Sequence, residues 1–129
     1  MSFTLDTSAY SAFNRGDKRL RKWFNSDNEI IMPNIVVGEL RAGFAAGNRR
    51  EENEQLLQRF LDSPNVSIVT ITDKTTQVYA DIYLKLRQKG KPIGTNDMWI
   101  AAMSLELDVS LLTTDTDFAH VPGLVLVKI

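Results

Sequence analysis

Five short runs of β-branched and aliphatic residues, separated by stretches with helical spacing, constrain this fold more than any single residue does. The runs are Phe3–Leu5, Glu29–Met32, Val66–Ile71, Val109–Thr113 and Leu124–Lys128. Each is too short for a helix and is bounded by Asp, Pro, Gly or Asn, so each reads as a strand. Between the first and second lie a helix from Thr7 to Arg15, stopped by Gly16, and a second over DKRLRKWFNS with Asp17 as its cap. Pro33 to Gly47 and Asn48 to Asp62 supply two more helices before the third run. Asp73 to Gln88, capped by Asp73, and a helix that starts with Asp97 behind a Thr95 or Asn96 cap precede the fourth. Strands that alternate with helices over such distances pair in parallel, because a parallel connection must cross the sheet. The expected architecture is therefore α/β, a mostly parallel five-stranded sheet with helices on both faces.

Composition narrows the class. The 129 residues are 43% hydrophobic and 24% charged with a formal net charge of -1. That is enough apolar material for one core, so residues 1–129 are expected to form a single domain. Near-zero net charge by itself points to neither nucleic acid nor a membrane surface. With no cysteine and one histidine, His120, disulfides are excluded and a zinc site is a poor fit. The N-terminal MSFTLDTSAY lacks the basic and apolar regions of a signal peptide, and no apolar run could span a bilayer. A soluble, cytoplasmic protein with no membrane association is expected.

Acids then fall at telling places. In an open α/β sheet, ligands bind beyond the carboxyl ends of the strands, where strand order reverses. Asp6 ends the first strand and Asp115 follows the fourth; Asp117 is two residues on. Asp97 opens an apolar helix and reaches the same edge if the preceding loop folds back. Glu39 lies one turn from Ile35 and Val36 on one side and from Ala42 and Gly43 on the other, close to an apolar stripe where a lone carboxylate is costly. Taken singly, these are cap, turn and boundary residues. Taken together they would repel and raise one another's pKa. A hard divalent cation such as Mg²⁺ or Mn²⁺, bound through oxygens, relieves that conflict and suits phosphate chemistry.

Four segments, LDTSAYSAF, IVVGELRAG, GTNDMWIAA and LLTTDTDFAHVPGL, occur in this order at elements of the expected type. In these the whole chain resembles the PIN-domain family, and within it the VapC toxins of bacterial toxin–antitoxin pairs. The resemblance implies a Rossmann-like three-layer α/β/α fold with strand order 3-2-1-4-5. It also implies a Mg²⁺-dependent endoribonuclease, with Mn²⁺ as a substitute, acting as the toxin of a type II pair. The family acids fall on Asp6, Glu39, Asp97 and Asp115, and Asp117 shares or replaces the last. Asp6, Asp97 and Asp115 are the implied ligands of one metal, with Glu39 at a second position or on the attacking water and Ser8 or Thr114 orienting a ligand or water. The implied partners are RNA, a cognate antitoxin and a second copy of the chain.

Other classes share this pattern. A phospho-receiver domain would use Asp73 as the phosphorylated acid and Lys128 as its lysine, and would leave Glu39 and Asp97 without roles. A haloacid-dehalogenase-like phosphatase needs an acid two residues after Asp6, where Ser8 stands. A protein-interaction module needs no metal. Candidate cations for a nucleic-acid backbone are Arg15–Lys22, Arg49-Arg50 and Lys85–Lys91. Ile35, Phe44, Leu57 and Phe60 are candidate exposed apolar contacts. Trp23, Phe24 and Trp99 read as packing residues.

Overall fold

A computed structural model describes residues 1–129. Its sheet has four strands, β1 (Ser2–Leu5), β2 (Glu29–Pro33), β3 (Val66–Val69) and β4 (Ser110–Leu112), in the order β3-β2-β1-β4. All three pairings are parallel, and Leu5 stands opposite Leu112 at the carboxyl ends of the central pair. The helices are α1 (Thr7–Asn14), α2 (Asn34–Ala46), α3 (Arg50–Leu61), α4 (Asp73–Lys89) and α5 (Thr95–Leu107). From β1 to β3 the chain steps in one direction, and to reach β4 it steps back past β1. Right-handed crossovers then place α1, α2 and α3 on one face and the α4–α5 pair on the other.

The expected order 3-2-1-4-5 is corrected at its last member. Leu124–Lys128 lies beside β4 but makes a single bridge, Leu126 with Leu111, and is not a strand. Both rungs go to one residue: Leu111 donates to Val125 O and Val127 donates to Leu111 O, each 2.9 Å. β4 is only three residues long, so the neighbouring segment has almost no ladder to extend. Val127 is buried while Val125 is 63% exposed, so the segment anchors through one side chain.

The second expected helix is also corrected. After α1 the chain forms turns, with one 3-10 turn at Arg21–Trp23. Asp17 spends its carboxylate locally, accepting from the Arg19 backbone at 3.0 Å and from its guanidinium at 2.7 Å. Lys18 would stack on Arg21 and Lys22 at helical spacing, and like charges there oppose a helix. Leu20 is fully buried, and Trp23 meets Phe3 edge-on at 6.2 Å, so the segment is held by packing.

One cluster of 23 buried apolar side chains fills the interior. α5 is apolar on nearly all sides, with Met98, Ile100, Ala101, Ala102 and Met103 buried, because sheet and α4 cover it together. Thr4 and Ser104 are the polar pair inside this layer; their hydroxyls lie 2.7 Å apart and Ser104 donates back to Ile100 O. Trp99, expected in the core, stacks on Tyr79 at 3.9 Å at the layer's margin. α4 is capped by Thr72 rather than Asp73, through a reciprocal box with Thr75. Thr75 also donates to Glu106 near the end of α5. The two helices therefore run antiparallel, and the last turn of α4 lies beside the start of α5. Leu57 is fully buried, so it is no surface contact; Ile35, Phe44 and Phe60 are partly buried against the core. No helix is long and apolar enough to cross a membrane.

Candidate active site

Asp6 follows β1 directly and caps α1, accepting from Ala9 N at 2.9 Å. It is 3% exposed. Three hydroxyl contacts hold its carboxylate: Ser8 Oγ donates to Oδ1 and Oδ2 at 2.8 and 2.9 Å, and Thr113 Oγ1 donates to Oδ2 at 2.7 Å. Burial raises the Asp6 pKa, these bonds pull against it, and Asp115 adds to the rise. Thr113 comes from the residue after β4, placed there because Leu5 and Leu112 are in register. It also accepts from Asp115 N at 2.9 Å, so one hydroxyl joins Asp6 to the segment that carries Asp115. Ser8 makes a second link, accepting from Thr114 N at 3.1 Å. Orienting roles were expected of Ser8 and Thr114, and Thr113 was missed. The only available signal was a hydroxyl one residue beyond a strand that had to lie beside Asp6.

Asp115 accepts from Asp117 N at 2.9 Å and starts the short turn Thr116–His120, which Phe118 pins from beneath with a fully buried ring. Asp117 itself is exposed. Glu39 projects from the middle of α2 towards the starts of α1 and α5. It accepts from Thr7 Oγ1 at 2.8 Å and, more weakly, from Asn96 Nδ2 at 3.4 Å. Arg41, two residues further along α2, pairs with Glu54 at 2.7 Å and not with Glu39. Gly38 and Gly43 face open space, leaving the flank of Glu39 uncovered.

Asp97 sits in the first turn of α5, behind Gly94 and with no side-chain cap on the helix. The partial positive charge of that helix end should lower its pKa. Instead the pKa is raised to about 6, first by burial and then by Asp115, Glu39, Asp6 and Asp117 in that order. Asp97 therefore feels the other four acids, and its neighbour Asn96 reaches Glu39 at 3.4 Å, so the start of α5 stands beside the middle of α2. The three ion pairs of the molecule, Arg19–Asp17, Arg41–Glu54 and Arg49–Glu52, involve none of them. As the side chains stand, no three acids form a group close enough to hold an ion. The fit to a hard divalent cation rests on uncompensated negative charge and an oxygen-only donor set. Asp73 is exposed at the start of α4 beyond the edge strand β3 and contributes nothing to this field, which leaves the phospho-receiver reading without support.

The fold is thus a parallel α/β sheet with carboxylates gathered near its reversal point and none of the molecule's ion pairs among them. A family model described as the PIN domain matches residues 3–124, and the chain belongs to that family. Ribonuclease VapC2 of Rickettsia felis is 32% identical over 101 residues, covering 78% of this chain and 74% of that protein. Ribonuclease VapC1 of the same organism is 32% identical over 128 residues, 96% of this chain and 93% of that one. The crystal structure of VapBC2 from Rickettsia felis, bound to a DNA fragment from their promoter, contains a chain that superposes with a TM-score of 0.84. It is 29% identical, with 98% of both chains covered.

Proposed function

We propose that this chain is a divalent-metal-dependent endoribonuclease, the toxin of a type II toxin–antitoxin pair. The observation that carries the reading is the acid cluster around Asp97, five carboxylates on four separate segments with no counter-cation. The relatives that are ribonucleases by name and the likeness to a toxin–antitoxin complex support it.

Asp6, Asp97 and Asp115 are the residues assigned to hold a Mg²⁺ ion, with Mn²⁺ as substitute, and Asp117 to assist. When bound, such an ion stabilises negative charge on a phosphate and lowers the pKa of an attacking water. Asp6 is the fixed member: its hydroxyl contacts leave it little rotational freedom, so it sets the reference position for the others. Glu39 is held at Oε1 by Thr7 and contributes its other oxygen to a second cation or to the water. Attack in line on the phosphodiester leaves 5′-phosphate and 3′-hydroxyl ends without using the 2′-hydroxyl. The partners are RNA, a cognate antitoxin and a second copy of the chain.

The test is cleavage of RNA by the purified chain with Mg²⁺, with Mn²⁺ and with chelator, together with mapping of the end groups. Metal-dependent cleavage with 5′-phosphate products is expected. Cleavage that persists in chelator, or that leaves cyclic phosphates, would overturn the mechanism.

A further inference from the structure

The acid cluster repels the phosphates it must act on, so cations nearby have to hold the RNA. Three basic runs were candidates, and the structure separates them. Arg15–Lys22 follows the far end of α1, whose start is at Asp6, and leads into the amino end of β2; it lies at the opposite edge of the sheet from the acids. In this run Arg19 is paired with Asp17, and Lys22 lies 5.2 Å from the Trp23 ring. Arg49 of the second run is paired with Glu52. The third, KLRQKGK from Lys85 to Lys91, holds four cations and no acid, all four exposed and none in an ion pair.

This third run stands at the acid edge. It ends α4, whose last turn meets the start of α5, and Lys89 Nζ donates to His120 O at 2.8 Å, in the turn that Asp115 begins. Beside it lies an open groove of about 360 Å³, lined by Tyr83, Arg87, Gly90, Pro92, Ile93 and Met98 among others. Met98 is the residue after Asp97. Tyr83 is 46% exposed, and Arg87 donates to its hydroxyl at 3.2 Å, which sets a guanidinium beside an aromatic ring at the groove wall. Gly90 turns the chain at φ +66°, ending α4, and the exposed Lys91 stands in sequence between two lining residues, Gly90 and Pro92.

We infer that this groove is the track for the single-stranded RNA flanking the scissile bond, with Tyr83 stacking a base and Arg87 and Lys91 holding phosphates. The inference rests on the ribonuclease reading and names where its substrate lies. Aromatic stacking next to unpaired cations is the general chemistry of single-strand binding, and the charge of the groove complements RNA while the acid centre does not.

The test measures binding of a labelled mixed-sequence RNA dodecamer by the full chain over a salt series, with cleavage followed in parallel. Tyr83→Leu keeps the apolar bulk and should weaken binding about fivefold or more, while Tyr83→Phe should bind like the parent. Arg87→Ala with Lys91→Ala should flatten the slope of log K against log salt by about 1.4, roughly 0.7 per phosphate contact. Lys18→Ala with Arg21→Ala should change neither. Unchanged RNA affinity and slope in the groove variants, in a chain that still cleaves RNA, overturns the inference and leaves the ribonuclease reading standing. So does a loss confined to self-association or antitoxin binding, which would make the groove a protein interface. A parent chain that neither binds nor cuts RNA overturns the ribonuclease reading and the inference with it.

Discussion

Replacing Asp97 by asparagine should stabilise the metal-free protein while abolishing its activity, and the structure sets the size of the effect. The Asp97 pKa stands at about 6 against 3.8 for a free aspartate, a gap of about two units. At 1.36 kcal/mol per unit that is roughly 3 kcal/mol as a ceiling. Asp97 is only partly buried, and solvent screening reduces the figure to about 1–2 kcal/mol. Against this, the variant loses the favourable charge at the start of α5, worth about 0.3–1 kcal/mol. The net gain is about 1 kcal/mol at pH 7, or about 4 °C in Tm for a chain of this length. The pH dependence has a definite sign. Because the folded pKa is raised, the folded chain binds more protons than the unfolded chain between pH 3.8 and about 6. The penalty from Asp97 therefore grows as pH rises through that window, is complete above it, and vanishes below pH 3.8. Thermal unfolding of both proteins in chelator, from below that window to above it, reads this directly, and titration with Mg²⁺ should then stabilise the parent more than the variant. An Asp97→Asn variant less stable than the parent at pH 7, or a difference that does not change with pH, would refute the crowding of charge on which the site assignment rests.

Thr113→Val should cost about 1–3 kcal/mol in urea unfolding and lower cleavage, because it leaves Asp6 Oδ2 and Asp115 N without their shared partner. Leu57→Ala should cost about 2–5 kcal/mol at a fully buried position, whereas a surface contact would lose almost nothing on the same measurement. Val127→Asp should impair folding while Val125→Asp is tolerated, as judged by soluble yield and Tm; equal effects would mean that Leu124–Lys128 pairs as a full strand. Gly90→Ala forces a side chain into φ +66° and should cost about 1 kcal/mol in thermal unfolding.

Much of the architecture could be read because hydrophobic runs and their punctuation are local. β1, β2 and β4 fall inside or within one residue of the runs that suggested them, and Asp6 was legible as the residue that ends a strand. Strand order itself came from the family resemblance. What failed did so for tertiary reasons. Leu124–Lys128 has the composition of a strand, but β4 offers too short a ladder. DKRLRKWFNS has helical spacing in its apolar residues, but its charges and the Asp17 turn prevail. Leu57 lies on the most polar helix, and only the packed fold shows that it points inward. The convergence of Asp97 with the other acids depended on where one loop goes, and Thr113 mattered only once β4 was set beside β1.

That last pairing has a consequence for the timing of synthesis. Thr113 and Asp6 are 107 positions apart; Glu39 and Asp97 come from segments between them, and Asp115 and Asp117 follow Thr113. Until β4 has left the ribosome and inserted next to β1, Asp115 and Asp117 are not in place beside the earlier acids. Whatever chemistry this edge performs therefore waits until β4 and the turn behind it have been made and set beside β1.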